Sequence, residues 1–277
     1  MARPFVSLLT DFGLRDPSAA ICRGVVLGIA PDAEILDISH EVRKYAIRDG
    51  ALLLWCALPY LPVGSHVAVV DPGVGTGRRP IAIRVARGDH LVGPDNGLLL
   101  MAAEKIGGVT AAVELREAAY RLPIVSTSFH GRDIFAPAAA HLALGVALDR
   151  LGPAIDPATL VRLPIPKPRL TAGVLETHVV YVDTFGNVKL TALAPTLPEA
   201  LGEVPFGTRL EIELRPAGAP ARPVSATWAE TFGRVDPGAL LLYEDSYGRL
   251  CLALNQGDAA AALGLVDDLA VAIRRAG

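Results

Sequence analysis

Five short clusters of polar and glycine residues interrupt the apolar segments of this sequence. In chain order they are TDFGLRD (10–16), VVDPGVGTGRR (69–79), GPDNG (93–97), SFHGRD (128–133) and DTFGN (183–187). The first two follow apolar segments of strand length, and open α/β sheets build their binding crevices where strands end. The clusters therefore mark candidate sites for a ligand.

The first cluster fits contact with a sugar. Asp11 directly follows a predicted strand and is placed to accept hydrogen bonds from a ribose diol, as acidic residues do in nucleotide-binding folds. Asp16 and Ser18 fit a second interpretation equally well, because either side chain suits the N-cap of the helix that follows.

The second and fourth clusters carry the groups best suited to catalysis. The glycine loop after Asp71 has neither the Lys-Ser/Thr ending of a Walker motif nor GxGxxG spacing, so no phosphate cradle is expected. Arg78 or Arg79 is placed to pair with Asp71, and the other is expected to be solvated. His130 precedes a predicted helix but, taken alone, fits a structural histidine. GPDNG and DTFGN each fit an ordinary turn.

The composition favours a small-molecule partner. Apolar residues make up 51% of the 277 residues and the net charge is −3 with mixed signs, so no basic face for nucleic acid or an anionic membrane is expected. No apolar stretch approaches the roughly 20 residues that span a bilayer, and MARPFVSLLTDFG lacks the order of a signal peptide. We expect a cytoplasmic protein. Cys22, Cys56 and Cys251 are far apart and predicted to be reduced thiols, not metal ligands.

The pattern of apolar segments predicts two domains. Residues 1–160 alternate strand-like and helix-like segments (FVSLLTD, AAICRGVVLGIA, AEILDIS, GALLLWCALPYL, HVAVVD), which indicates an α/β domain with a largely parallel sheet. A further helix is predicted through IFAPAAAHLALGVAL. Residues 161–169 are Pro-rich and predicted to be a linker. Residues 170–277 contain short alternating runs typical of an all-β, barrel-like domain, and no internal repeat is evident.

Taken together and in this order, the five clusters resemble the family of S-adenosyl-L-methionine (SAM) hydroxide adenosyltransferases, whose relatives include fluorinating and chlorinating enzymes. The resemblance spans nearly the whole chain. It implies an N-terminal α/β domain, a C-terminal β-barrel-like domain and homotrimers that bind SAM between the first domain of one subunit and the second domain of the next. The implied reaction is hydrolysis of SAM to adenosine and L-methionine, with SAM as substrate and no cofactor.

The resemblance also implies roles for individual residues. The catalytic residues would be Asp71, Arg78 and His130, with Arg79 as the second choice of arginine. Substrate contacts would come from Asp11 (ribose), Asp16 (methionine ammonium), Tyr45 (an aromatic wall), Asp183, Phe185 and Asn187 (the methionine or ribose end), Ser246 and Tyr247 (methionine carboxylate), and Trp228 and Asn255 (adenine).

Three alternatives remain at this point. A halide-using enzyme is disfavoured because the halogenating relatives have hydroxyl-bearing residues at the positions of Asp71 and Gly131, and a carboxylate would repel a halide. A metal-dependent hydrolase would use Asp11, Asp71 and His130 as ligands. A non-catalytic sensor would bind adenosine or SAM without reaction.

Overall fold

A six-stranded sheet forms the centre of the N-terminal half of the protein. The computed structural model describes residues 3–277 and divides the chain into two units, Met1–Leu163 and Pro164–Gly277. The strands of the first unit are β1 (Phe5–Thr10), β2 (Glu34–Ser39), β3 (Ser65–Val69), β4 (Pro80–Val85), β5 (His90–Pro94) and β6 (Val109–Glu114). Their order is β2-β1-β3-β5-β4-β6; β2, β1, β3 and β5 run parallel, whereas β4 is antiparallel to both neighbours.

Helices cover both faces of this sheet. They are α1 (Ser18–Ile29), α2 (Ile47–Ala57), α3 (Leu100–Lys105) and α4 (Ala136–Ala143). In β1, Val6 and Leu8 join the core that contains α1 and α4, whereas Leu9 joins the core that contains α2 and α3. A strand buried on both faces is continuously apolar, which is why the segment FVSLLT has no polar alternation. The predicted largely parallel α/β sheet is confirmed.

The pairing of β1 with β3 determines where the polar clusters emerge. Thr10 pairs with Val69, so the chain leaves both strands at the same edge of the sheet. Asp11 follows the first strand directly and Asp71 lies two residues beyond the second. The topology therefore brings the first two clusters together, although 60 residues separate them in the sequence.

The helix that follows the fourth cluster is shorter than the sequence predicted. One turn of π-helix, Gly131–Phe135, leads into α4, which ends at Ala143. Leu144 is the C-cap and Gly145 adopts φ +90°, a left-handed conformation that stops the helix. The apolar residues after Gly145 instead form a separate short 3-10 helix, Leu148–Leu151.

The second unit is a closed β-barrel. Its strands are β7 (Arg169–Thr171), β8 (Val174–Val182), β9 (Val188–Leu193), β10 (Arg209–Arg215), β11 (Arg222–Trp228), β12 (Leu240–Glu244), β13 (Arg249–Leu254) and β14 (Ala270–Arg275), with helices α5 (Thr196–Leu201) and α6 (Ala259–Leu263). The order β14-β10-β11-β12-β13-β9-β8 closes through pairing of β14 with β8, and β7 adds to the edge of β8. Closure satisfies the strand edges. The barrel-like second domain is confirmed.

The segment predicted as a linker begins within the first unit. The Val161 N–H donates to Asp95 Oδ1 over 2.9 Å, and Leu163 lies against Gly97. Strand β7 of the barrel begins at Arg169. No helix within residues 3–277 is long and apolar enough to cross a membrane.

Candidate active site

A pocket of about 260 Å³ opens at the sheet edge where β1 and β3 end. Its walls come from the first, second and fourth clusters and from the segment after β2. The residues that line it are Asp11, Phe12, Ser18, Lys44, Tyr45, Val69, Asp71, Val74, Ser128, Phe129, His130 and Gly131. The structure therefore collects Asp11, Tyr45, Asp71 and His130, four of the residues singled out in the sequence, around one cavity.

Asp11 is held at the pocket by the segment that follows β2. Its Oδ2 accepts the Tyr45 N–H over 2.9 Å, and its backbone carbonyl accepts a hydrogen bond from the Lys44 ammonium. Tyr45 adopts φ +66°, a conformation that costs energy for a residue other than glycine, and its side chain is 72% exposed. The backbone strain at Tyr45 thus accompanies a hydrogen bond to the pocket carboxylate and an aromatic ring presented at its rim.

Asp16 and Ser18 do not cap α1. Pro17 is the N-cap residue, and no side chain makes a capping hydrogen bond there. Ser18 lines the pocket, whereas Asp16 is exposed and is not among the lining residues. The capping interpretation of these two residues is wrong, and the contact expected from Asp16 stays a prediction.

Asp71, Arg78 and His130 form one hydrogen-bonded chain. Arg78 Nε lies 3.0 Å from each oxygen of Asp71, and Arg78 Nη2 also donates to Asp71 Oδ2. The same Nη2 lies 3.0 Å from His130 Nδ1. The side chains of Arg78 and Asp71 are 10% and 5% exposed, and the guanidinium lies 5.2 Å from the centre of the Phe135 ring. The arginine is therefore fixed by a carboxylate, an imidazole and an aromatic face.

The contact with Arg78 decides which nitrogen of His130 carries the proton. A guanidinium only donates, so Nδ1 of His130 must accept and the neutral ring carries its proton on Nε2. Burial lowers the pKa of His130, and the positive charge of Arg78 lowers it further. Near neutral pH the ring is uncharged and offers an N–H donor at Nε2.

Arg79, the second choice of arginine, belongs to a different group. Its Nε and Nη2 lie 2.8 and 2.5 Å from Asp95 Oδ2, and Nη2 donates to the Thr159 carbonyl over 2.8 Å. Asp95 is the acid of the GPDNG cluster and is buried. The expectation of a solvated arginine is wrong, because Arg79 ties this turn to the last segment of the first unit.

The space around Gly131 is limited by an aromatic neighbour. A Cβ at Gly131 would lie 3.0 Å from Phe12 Cζ and 3.3 Å from Phe12 Cε2, closer than ordinary packing allows. Phe12 is held in turn by an edge-to-face contact with Phe129, whose ring centre lies 5.7 Å away. A larger residue at position 131 would have to displace Phe12 from the pocket wall.

The barrel carries a second pocket, with a volume of about 640 Å³. It is lined by Asp183, Phe185, Asn187, Lys189, Phe232, Tyr243, Asp245, Ser246, Tyr247, Leu254, Gln256 and Gly257. Five of these were expected from the sequence: Asp183, Phe185, Asn187, Ser246 and Tyr247. Asp183 Oδ2 accepts the Asn187 Nδ2–H over 3.0 Å, so the amide is oriented by the carboxylate.

Two residues expected near adenine lie elsewhere in the barrel. Trp228 is 9% exposed and stacks on Phe206 at 5.4 Å between ring centres, and it is not among the residues that line the second pocket. Asn255 is buried and donates from Nδ2 to the Val235 carbonyl over 2.8 Å. Both side chains thus have packing or hydrogen-bonding partners within the barrel, and their contacts with adenine stay predictions.

Several pocket residues escaped the sequence analysis. Phe232 lies four residues after Trp228 in the same SATWAETFG segment and packs at 4.9 Å against Tyr243, so the pocket aromatic of that segment is Phe232. Asp245 precedes Ser246 in DSYGR, a segment that repeats the residue types of DTFGN. That repetition was the signal available for Asp245. Lys189 had no such signal, because it lies within an apolar strand.

The sequence left open a metal site with Asp11, Asp71 and His130 as ligands. Within residues 3–277, no three His, Cys, Asp or Glu side chains are grouped as ligands of a metal ion would be. Asp71 uses both oxygens for Arg78.

Comparison with known protein families identifies both units. Residues 6–152 match the SAM hydroxide adenosyltransferase N-terminal domain, and residues 177–271 match the C-terminal domain of the same family. The chain belongs to the SAM hydroxide adenosyltransferase family. The resemblance predicted from the five clusters is confirmed.

Individual relatives within the SAM hydroxide adenosyltransferase family cover almost the whole chain. An (R)-S-adenosyl-L-methionine hydrolase from Salinispora tropica is 48% identical over 263 residues, 95% of this chain and 94% of that protein. A fluorinase from Nocardia brasiliensis is 30% identical over 298 residues, 98% of this chain and 97% of that protein. A crystal structure of a conserved protein from Thermotoga maritima matches with a TM-score of 0.89 at 34% identity, covering 98% of this chain and 100% of that one.

Proposed function

We propose that this protein hydrolyses SAM, using water to break the bond between C5′ and the sulfonium sulfur and releasing adenosine and L-methionine. The observation that carries this proposal is the Asp71–Arg78–His130 chain at the wall of the first pocket. A relative at 48% identity bears the name of an (R)-SAM hydrolase, and we propose the same R configuration at sulfur for the substrate of this chain.

The geometry suggests how each group acts on the attacking water. The sulfonium leaves as a neutral thioether, so no general acid is needed at the leaving group. The Nε2–H of His130 orients the water as a donor, and the Asp71 carboxylate stabilises the positive charge that develops on the water oxygen and accepts its proton. Arg78 positions both groups. Catalysis then comes chiefly from orientation and fixed charges.

Two features of the first pocket favour water over a halide. The Asp71 carboxylate carries a negative charge where a halide would need a neutral or positive environment. A hydroxyl-bearing side chain at position 131, where the halogenating relatives carry one, would require Phe12 to shift. Both features oppose the chloride- or fluoride-using alternative.

We further propose a homotrimer with sites shared between neighbouring subunits, a cytoplasmic location and no cofactor besides the substrate. Family membership supports the proposed assembly. No step in the proposed chemistry requires a metal or redox group, and this supports the proposal that no cofactor is needed.

The decisive experiment is hydrolysis of SAM in oxygen-18 water by the purified protein. Equal amounts of adenosine and methionine are expected, with one heavy oxygen in the adenosine and a rate unaffected by chelators or added halide. Asp71→Ala and His130→Ala should each lower kcat by roughly 10²- to 10⁴-fold, the range for groups that act on a reacting proton or charge. Asp32→Asn, an exposed acid outside the pocket, is the control.

Each of the other outcomes would indicate a different function. Formation of a halogenated adenosine would make the protein a halogenase. Activity lost on chelation and restored by a metal ion would make it a metallohydrolase. Binding of SAM without any product would make it a sensor.

A further inference from the structure

Two turns of the barrel are built alike and face the same pocket. Asp183-Thr-Phe-Gly-Asn187 joins β8 to β9, and Asp245-Ser-Tyr-Gly-Arg249 joins β12 to β13. We call them the twin turns. In each, Oδ1 of the leading aspartate accepts the backbone N–H groups of the third and fifth residues, at 2.9 and 3.0 Å in the first turn and 2.9 and 2.9 Å in the second.

The backbones of the twin turns also agree. The glycine N–H donates to the aspartate carbonyl over 3.0 Å in both, and the glycines adopt φ +78° and +82°. A side chain is disfavoured at such φ values, so each turn requires its glycine. The third residue of each turn is aromatic, Phe185 in one and Tyr247 in the other, and both rings line the pocket.

The second oxygen of each aspartate holds a side chain at the pocket. Asp183 Oδ2 accepts from Asn187 Nδ2 over 3.0 Å, and Asp245 Oδ2 accepts from Lys189 Nζ over 2.6 Å. Asn187 and Lys189 are two residues apart, so they lie on the same face of the chain entering β9. The twin turns therefore place an amide and an ammonium side by side on one wall of the cavity.

Lys189 is buried, with 9% of its side chain exposed, and its ammonium lies 5.2 Å from the centre of the Tyr247 ring. Among the described residues that line this pocket, it alone carries a positive charge, whereas Asp183 and Asp245 are both acidic. A pocket with two carboxylates and no cation would repel an anionic group. The buried ammonium offsets that repulsion at one place only, next to Tyr247.

We propose that Lys189 binds the α-carboxylate of the amino-acid part of the substrate, with Asp245 as the residue that positions its ammonium. This inference rests on the proposed hydrolysis of SAM, whose methionine moiety bears that carboxylate. An ammonium carries three donors, so one lysine can bridge Asp245 and a substrate carboxylate. Ser246 and Tyr247, expected from the sequence near the carboxylate, line the same pocket.

Decarboxylated SAM is the probe that distinguishes a role of Lys189 in substrate recognition from a purely structural role, because it lacks only the group that Lys189 is proposed to bind. Binding is measured by calorimetry and turnover by adenosine release, for the wild type and for Lys189→Met. The variant should weaken SAM binding roughly 10- to 100-fold, as expected for loss of a hydrogen bond to a charged group. Affinity for the decarboxylated compound should change several-fold less.

Two further variants keep the test informative. Lys189→Arg should restore part of the preference for SAM, since it keeps the charge, and Asp245→Asn should raise KM for SAM more than it lowers kcat. Equal losses for both ligands in Lys189→Met would overturn the proposal and leave Lys189 with a structural role. If Lys189→Met does not fold, Lys189→Gln and Lys189→Arg answer the same question.

Failure of the proposed hydrolysis would look different from failure of this inference. A wild type that binds SAM more tightly than decarboxylated SAM, yet forms no adenosine, would refute the reaction and retain the role of Lys189.

Discussion

At the scale of single residues, the direction of one hydrogen bond determines the chemistry of His130. Because Arg78 donates to Nδ1, the accepting nitrogen is occupied and the other nitrogen presents a proton. In the proposed hydrolysis, a histidine so arranged orients water but does not remove its proton, which leaves Asp71 as the proposed proton acceptor. The sequence identified both residues, yet it carries no information about which nitrogen of the ring faces the arginine.

This arrangement predicts an acidic limit to activity. His130 acts while neutral, and burial together with Arg78 holds its pKa below the ordinary value of 6.5. Activity should therefore begin to fall at a lower pH than expected for an ordinary histidine, as the ring becomes protonated and its charge opposes Arg78. The measurement is kcat/KM against pH.

A matched variant is available for this pH profile. In His130→Gln the remaining activity should lose the acidic limit contributed by the ring. His141→Gln is the control, because burial also lowers the pKa of His141 although it lies in α4, in edge-to-face contact with Tyr120. Persistence of the limit in His130→Gln, or its loss in His141→Gln, would contradict the assignment.

The same pKa shift affects stability in a definite direction. Since the folded pKa of His130 lies below its unfolded value, the unfolded chain binds the proton more readily. The contribution of the neutral ring to stability is therefore present above the unfolded pKa and declines as pH falls below it.

At the scale of elements, a series of polar contacts, which we call the relay, connects β2 to the loop that carries Asp11. Arg23 of α1 pairs with Asp37 of β2, and Asp37 Oδ1 lies 3.2 Å from His40 Nε2. His40 Nδ1 accepts from the Thr10 hydroxyl over 2.8 Å, and that hydroxyl oxygen accepts the Phe12 N–H over 3.2 Å. The relay fixes the backbone on both sides of Asp11.

Replacement of His40 should therefore disturb binding more than chemistry. His40→Ala is expected to lower the free energy of unfolding by about 1–3 kcal/mol, because it leaves the O–H group of the buried Thr10 without an acceptor. KM for SAM should rise while kcat changes little, because the loop presents Asp11 to the substrate. Urea unfolding and steady-state kinetics measure the two effects.

The conservative variant distinguishes positioning from bulk packing. The side-chain oxygen of His40→Asn reaches the position of Nδ1 and accepts from Thr10, so KM should recover more than stability does. Equal deficits in the Asn and Ala variants would contradict the relay and reduce His40 to a space-filling residue.

The sequence predicted the features that a local pattern determines, but it did not predict the features that depend on pairing or packing between distant segments. Strands β1 and β3 are short, mostly apolar runs, and the sheet forces Asp11 and Asp71 to one edge, so their proximity was predictable. The partner of strand β11 was not predictable, because the alternation of Val224, Ala226 and Trp228 indicates a strand but not its pairing with β10. The packing of Trp228 against Phe206 is likewise a long-range contact that the local pattern does not indicate.

At the scale of the whole molecule, the chemistry is divided between two units. Asp11, Asp71 and His130 line the first pocket, whereas Asn187, Lys189 and the aromatic residues Phe185, Phe232, Tyr243 and Tyr247 line the barrel pocket. Under the proposed function, neither set alone has groups for the reacting carbon, the ribose and the amino-acid carboxylate. The proposed substrate has all three parts and would therefore need residues of both units.

The proposed trimer predicts that the two units of one site belong to different chains. His130→Ala disables the first unit and Asn187→Ala the second, so each variant alone should be nearly inactive. When both chains are coexpressed, every mixed cyclic trimer should pair two intact units at one of its three sites, because only one of its interfaces joins the intact first unit of one variant to the intact second unit of the other. Isolation of mixed assemblies through two different tags, followed by adenosine release, measures the recovery. If each site were formed within a single chain, every site in the mixture would keep one disabled unit, and activity would stay at the level of the separate variants.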